Sequence, residues 1–258
     1  MKKERIKGRF AFKIDQGKVR VSNEDSAKVL VNSNEDVLML VADGMGGAKK
    51  GDYASQYIVE KFTNAFKEKT KFSSILSIKY WLLSNLKKIN KYLYNLSISN
   101  KEYKGMGSTL TMCFIHGDKA VILNVGDSRC YMIENKKMVQ KTEDQTYVQY
   151  LIKSGTLSPE DAKTHPDRHA LMNAIGIYPS LSADVSVVKH YDETIMICSD
   201  GLYNNVSEPN IENVLMTDDD LNTKVDTLIN IANFNGGSDN ISVAIWECGS
   251  RDWSRNTN

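Results

Sequence analysis

One stretch constrains this chain more than any other: Val37-Leu38-Met39-Leu40-Val41-Ala42-Asp43-Gly44-Met45-Gly46-Gly47. Its six leading apolar residues suit one buried strand and fall far short of the roughly 20 needed to cross a bilayer. The run breaks at a carboxylate followed by three glycines in four positions. Glycines so crowded predict a backbone that turns sharply and approaches something closely. An Asp at the mouth of a buried strand, with carbonyls freed beside it, suits a hard cation. Taken alone, the segment is better explained by a plain Asp-Gly turn, and only its partners elsewhere in the chain reverse that.

Composition narrows the class. A chain of 258 residues with 41% hydrophobic and 25% charged content is that of a globular protein with a real core. A net charge of +1 offers no attraction for nucleic acid or an anionic membrane. Cys113, Cys130, Cys198 and Cys248 stand singly, without C-x-x-C spacing, and read as buried, reduced thiols. Met1–Gly8 is a basic leader lacking the apolar core of a signal peptide, and the residues after Gly249 form a polar tail. A cytoplasmic protein is expected.

In chain order, strands are expected at Arg9–Ile14, Ala27–Val31 and Val37–Ala42. A hairpin of the last two would bring Glu24 and Asp25 near Asp43. Gly51-Asp52 is expected to start a helix carrying Ala54, Ile58, Phe62, Ala65 and Phe66 on one face, and a second helix is expected over Ser74–Ser97. Trp81, Tyr80, Tyr92 and Tyr94 read as packing residues. Ser108–Ile115, Lys119–Val125, Cys130–Ile133 and Lys137–Gln140 predict an antiparallel meander, with His116 on a solvent-facing turn. Residues 144–174 read as a flap of two small helices, Tyr147–Lys153 and one opened by Ser158-Pro159. His165 and His169 lie there, but Pro166 argues against one helix presenting both to a metal. Thr194–Cys198 is a strand running into Ser199-Asp200-Gly201, which repeats the opening design. Ser207–Met216 and Leu221–Phe234 are expected helices, the Asp218–Asp220 run capping the second, and Ile241–Trp246 is the last strand.

Glu24, Asp43, Asp127, Asp200 and Asp239 all fall at predicted strand ends or tight turns. Buried together they would repel one another, unless divalent cations sit among them. No Cys or His accompanies them at ligand-like positions, so an all-oxygen set argues for Mg²⁺ or Mn²⁺ over Zn²⁺. Two such ions about 3.5–4 Å apart could clamp a phosphate, with Arg20 as its bidentate partner.

Arg20-x-x-x-Glu24-Asp25, Asp43-Gly44-Met45-Gly46-Gly47, Gly107-Ser108-Thr109, Gly126-Asp127-Ser128-Arg129, Ser199-Asp200-Gly201-Leu202 and Ser238-Asp239-Asn240-Ile241 occur in this order. The ordered set resembles the metal-dependent protein phosphatases of the 2C type, in their compact bacterial Ser/Thr branch, over about residues 8–247. The resemblance implies an α+β fold: a four-layer α-β-β-α sandwich of two antiparallel sheets flanked by helix pairs. It implies a single phosphatase domain spanning the chain, with a flap at about 144–174 and a tail at 249–258. Asp43 would bridge two tightly bound Mn²⁺ or Mg²⁺ ions, Glu24 and the Gly44 carbonyl holding one and Asp200 and Asp239 the other. Asp127, with Asp200, would hold a weaker third. Arg20 would bind the phosphate, and Asp25 would orient Arg20 or metal waters. The implied reaction is direct attack of a metal-bridging hydroxide on phosphoserine or phosphothreonine. The implied partners are phosphoproteins, among them a Ser/Thr kinase and its substrates, met by a monomer that binds neither nucleic acid nor membrane.

Three positions depart from the family pattern. Met45 stands where eukaryotic members carry a His proposed as general acid, so a water is expected to protonate the leaving alkoxide, and bacterial relatives share this Met. Gln145 replaces a common Asp-His, and Asn173 a usual Arg. The competing class is a catalytically weak, phosphatase-like regulatory binding protein, which should lack metal carboxylates. A two-metal nuclease should have a basic groove.

Overall fold

The computed structural model describes residues 8–69, 71–189 and 193–249. Most of the basic leader and most of the polar tail therefore lie outside the described residues. The elements run β1 (Gly8–Asp15), β2 (Asp25–Val31), β3 (Val37–Met45), α1 (Ala48–Glu68), α2 (Ile75–Ser99), β4 (Gly107–Ser108), β5 (Leu110–His116), β6 (Lys119–Val125), β7 (Arg129–Glu134), β8 (Lys137–Gln140), α3 (Tyr147–Lys153), α4 (Pro159–Ala162), β9 (Asp184–Lys189), β10 (Ile195–Cys198), α5 (Asp200–Tyr203), α6 (Glu208–Leu215), α7 (Leu221–Phe234) and β11 (Ile241–Cys248).

Two antiparallel sheets stack face to face, ordered β1-β11-β10-β7-β8 and β2-β3-β5-β6-β9, with β4 beside β3. Val29, Met39, Val41, Cys113 and Ile122 from one sheet meet Cys130, Met132, Ile197, Ala244 and Trp246 from the other, and this apolar layer joins the sheets. On one outer face, α1 and α2 cover Leu38, Leu40, Met112 and Phe114. On the other, Leu202 of α5 with α6 and α7 covers Met196, Val243 and Ile245. The order of layers is α-β-β-α, as expected.

Periodicity explains the helices. Ala54, Ile58, Phe62 and Phe66 recur every fourth residue of α1 and are all buried. They meet Trp81 and Phe114 in a cluster of edge-on rings that also takes in Phe72, the Phe72–Phe114 centroids standing 4.7 Å apart. Each such ring contributes roughly 1.5–3 kcal/mol by burial. Ser74 caps α2 in a reciprocal capping box with Ser77, and Asp220 caps α7 through the amides of Asn222 and Thr223.

Several expectations are corrected. The chain from β5 to β8 is not one meander, because β6 and β7 belong to different sheets and the chain crosses between them at Gly126-Asp127-Ser128. Strand β3 does not break at Asp43 but continues through Gly44 to Met45, paired with β4. Helix α1 starts at Ala48, before Gly51, and Gly47 caps it without a side-chain bond. His116 ends β5 with Nδ1 2.7 Å from Asp36 Oδ1, so it is partnered and half-buried, not a solvent-facing turn residue. Tyr80 is 75% exposed and does not pack, whereas Tyr92 stacks on Tyr57. Cys113, Cys130 and Cys198 are buried free thiols, whereas Cys248, at the end of β11, is only half-buried. Among the described residues, no helix is long and apolar enough to cross a membrane.

Candidate metal centre

The β2–β3 hairpin register sets Asp25 directly opposite Asp43, so both side chains leave the same face of the sheet. Just before β2, the Glu24 carbonyl accepts from the Gly44 amide at 3.1 Å. The first turns of α1 press onto this end of the hairpin. A Cβ on Gly51 would overlap the Glu24 carboxylate, and one on Gly44 would overlap the Gly51 carbonyl. Glycine at both places is therefore a condition for helix, strand and Glu24 to meet.

Asp43 is fixed through its backbone. Its amide donates to Thr109 Oγ1 at 3.0 Å, and its carbonyl accepts from Thr109 N and Ser108 Oγ, each at 2.9 Å. Asp200 follows β10 and opens α5, where Asn204 Nδ2 donates to its Oδ2 at 3.0 Å. Asp239 precedes β11, the neighbour of β10 in the sheet, so the two carboxylates arrive at one sheet end from adjacent strands. Asp127 sits at the sheet crossover, its carbonyl accepting from the Tyr203 hydroxyl at 3.0 Å. Arg129 sits over the Tyr203 ring with Cζ 3.6 Å from its centroid, and makes a bidentate bond to Asp144.

One cleft, with a cavity volume of about 1210 Å³, is lined by Arg20, Glu24, Asp43, Gly44, Asp127, Asp200 and Asp239 together. Asp25 lies behind them, 3% exposed, with Oδ2 accepting from Ser199 Oγ at 2.7 Å. Arg20 Nη2 donates to Asp239 Oδ2 at 2.7 Å. Every residue expected at the site thus lies in or directly behind one cleft.

Electrostatics marks the same group. Burial, with the charges of Asp25, Asp200 and Asp127, drives the Asp43 carboxyl well above the carboxylate range. Burial and Asp200 do the same to Asp127. Burial pushes Asp25 up to about 7, partly offset by the Ser199 hydroxyl, and pushes Asp200 up to about 6 with help from Asp239. Glu24 is raised by burial, against the pull of Arg20. Oδ1 of Asp25 and Oδ1 of Asp200 are buried with no donor facing them. As the side chains stand, no three acidic, histidine or cysteine groups among the described residues are set to hold a metal ion. The carboxylates instead line an open cleft, mutually repelling and short of donors. An oxygen-only set with unmet negative charge fits divalent hard cations, whose own charge would reverse these shifts.

Some contributors were not assigned from sequence. Asn240 pins the Arg20 loop: Nδ2 donates to the Gln16 and Ser22 carbonyls, each at 2.9 Å, while Oδ1 accepts from Glu24 N at 2.8 Å. Ser199, besides holding Asp25, accepts from Ser242 N at 2.9 Å. Both residues adjoin predicted acids, and that adjacency was the available signal. His165 and His169 do not share a helix. The His165 ring meets Tyr147 edge-on, whereas His169 reaches the cleft with Nδ1 3.9 Å from Asp200 Oδ2.

A sequence model of the family described as Protein phosphatase 2C matches residues 17–242. The serine/threonine phosphatase stp of Listeria monocytogenes is 38% identical over 237 residues, covering 92% of this chain and 94% of that protein. Protein phosphatase PhpP of Streptococcus pneumoniae is 32% identical over 232 residues, covering 90% and 94%. The solved serine/threonine phosphatase of S. agalactiae superposes with a TM-score of 0.90 at 32% identity, over 94% of this chain and 100% of that one. The catalytic domain of the phosphatase PstP, solved in complex with two manganese ions, gives 0.82 at 27% identity, over 94% and 99%.

Proposed function

The chain belongs to the protein phosphatase 2C family and is a serine/threonine protein phosphatase; on that premise we propose that its cleft carboxylates hold a binuclear Mn²⁺ or Mg²⁺ centre within a single catalytic domain at about residues 8–247. Glu24, Asp43 and the Gly44 carbonyl would hold one cation, and Asp43, Asp200 and Asp239 would hold the other. Asp127, with Asp200, is the candidate holder of a weaker third. When bound, the ions supply an activated water and neutralise the phosphoryl oxygens.

The chain's own groups do the rest. Arg20 stands 52% exposed at the cleft and, among the described residues, pairs with Asp239, so its guanidinium can turn to grip a phosphate bidentately. Ser108 and Thr109 hold Asp43 at its backbone, so its carboxylate would be presented to the cations from a fixed strand. Asp25, fixed by Ser199, keeps a second carboxylate behind Asp43 to orient the water that attacks. Met45 lines the cleft and can neither give nor take a proton, so a water would protonate the leaving alkoxide, with the Asp127 site as its source. Cys113, Cys130 and Cys198 are buried and absent from the cleft lining, which argues against a thiol nucleophile.

The observation that carries this reading is the gathering of six carboxylates from both sheets, with Arg20 paired to one of them, at one end of the sandwich. The substrates are phosphoserine and phosphothreonine proteins, a Ser/Thr kinase and its targets among them, met by a monomer in the cytoplasm. The test is phosphate release from a phosphothreonine peptide. Release with Mn²⁺ or Mg²⁺ that chelator abolishes supports the assignment, and release undiminished by chelator overturns it.

A further inference from the structure

Gln145 uses every polar atom it has, and its partners come from three separate places. Its backbone amide donates to the Gly126 carbonyl at 3.0 Å, and its carbonyl accepts from Met172 N at 2.8 Å. Its side-chain Oε1 accepts from Gly126 N at 2.9 Å and from Asn173 Nδ2 at 2.7 Å. Its Nε2 donates to Asp184 Oδ2 at 2.8 Å and to the Asn124 carbonyl at 3.4 Å.

Each partner has a defined place. Gly126 precedes Asp127 at the sheet crossover, and both its amide and its carbonyl are bound by Gln145. A Cβ there would overlap Thr109, the residue that holds the Asp43 amide. Met172 and Asn173 close the flap, whose base is zipped by Tyr147 N donating to the Ala170 carbonyl at 2.8 Å. Asn173 is held in turn, donating to the Ser182 carbonyl at 2.7 Å. The flap therefore cannot swing at its base without pulling on the peptide that carries Asp127.

We propose that Gln145, with Asn173 as its partner, is a positioning residue that locks the Gly126–Asp127 turn to the base of the flap, so that flap and Asp127 address the substrate as one unit. The proposal rests on the reading of Asp127 given above. Gln145 touches neither substrate nor cation; it acts through Asp127. A side-chain amide is required because one end must accept two N–H groups while the other donates to a carboxylate.

The test compares Gln145→Ala, Gln145→Glu, the double variant Gln145→Glu/Asp184→Asn, and Asp127→Ala. Amide exchange at Gly126 is read by NMR on the metal-free protein, and kcat and KM are read on a phosphothreonine peptide with Mn²⁺. A hydrogen bond of about 1 kcal/mol translates into roughly a five- to tenfold effect. Gln145→Ala is expected to lose about tenfold in Gly126 protection and about tenfold in kcat, with KM little changed. Gln145→Glu keeps both acceptor contacts but sets a carboxylate against Asp184, and the added Asp184→Asn change should restore kcat by reversing that hydrogen bond. Wild-type kcat and Gly126 protection in Gln145→Ala, beside a crippled Asp127→Ala, overturn the proposal alone. Loss in Gln145→Ala that falls on melting temperature and not on kcat, or a double variant no better than Gln145→Glu, also overturns it. Normal kcat in Asp127→Ala removes the premise, and the proposal falls with it.

Discussion

Arg20 and Asp239 stand 219 positions apart in the chain, yet Arg20 Nη2 donates to Asp239 Oδ2 at 2.7 Å. The residue assigned to the phosphate is thus ion-paired to one assigned to a cation. Asp239, with a metal on its carboxylate, would compete for less of the guanidinium and leave it to the substrate.

Arg20→Ala is expected to weaken phosphopeptide binding. A charge-assisted hydrogen bond contributes about 1.5–3 kcal/mol, so KM should rise roughly tenfold to a hundredfold. Melting temperature should hold, since the pair is partly solvated and worth little to stability. An unchanged KM would remove Arg20 from the site.

The metal-free protein should lose stability as pH rises from about 4 to 7. Burial holds Asp25 at about 7 and Asp200 at about 6, against 3.8 for the ordinary carboxyl. In that window the folded chain keeps protons the unfolded chain has released, so stability falls with pH and the loss is complete above the folded values. Urea midpoints in chelator at pH 5 and pH 8 measure it. Saturating Mn²⁺, which binds the anionic carboxylates, should narrow the gap, and Asp25→Asn should shrink it. A chelated protein more stable at pH 8 than at pH 5 would contradict the shifts.

Gly51→Ala sets two effects against each other. Helix propensity favours Ala by about 1 kcal/mol. The added Cβ, however, would overlap the Glu24 carboxylate and crowd Gly44. Weaker Mn²⁺ binding without a gain in melting temperature is expected. A stabilised enzyme with normal metal affinity would show that Glu24 does not need this approach.

Asp127→Ala separates a turn residue from a functional one. A lost turn cap would lower stability by about 0.5–2 kcal/mol and spare turnover. The reading of Asp127 as holder of a weak third cation expects the main metals and fold to survive while kcat on phosphopeptides falls. The loss should be smaller on para-nitrophenyl phosphate, whose leaving group needs little protonation. Equal, wild-type-like rates on both substrates would leave Asp127 a turn residue.

Much of the site was readable because its acids sit on local signals. Asp43 ends an apolar run before glycines, Asp200 repeats that design, and the short Asn32–Asp36 turn fixed a hairpin that sets Asp25 opposite Asp43. What stayed hidden depends on distant packing. Gly51 resembles a helix start, and only the proximity of Glu24 makes it a point of close approach inside α1. Asn240 and Ser199 look like ordinary loop residues until the Arg20 loop and Asp25 are folded onto them. The crossing from β6 to β7 was missed because strand spacing records turns and not the sheet each strand joins. His116 escaped because its partner, Asp36, is 80 residues away.

The central claim is that the cleft carboxylates hold the cations on which turnover depends, and Asp43, which the proposed function assigns to both, tests it most directly. Mn²⁺ bound per chain should be counted for the wild-type protein and for Asp43→Asn, with phosphate release from a phosphothreonine peptide measured on the same samples. Two tightly held ions and rapid release are expected for the wild type. Asp43→Asn should keep its fold by thermal melt, lose tight metal and release phosphate at the uncatalysed rate. Wild-type release from Asp43→Asn at saturating Mn²⁺ would contradict the account.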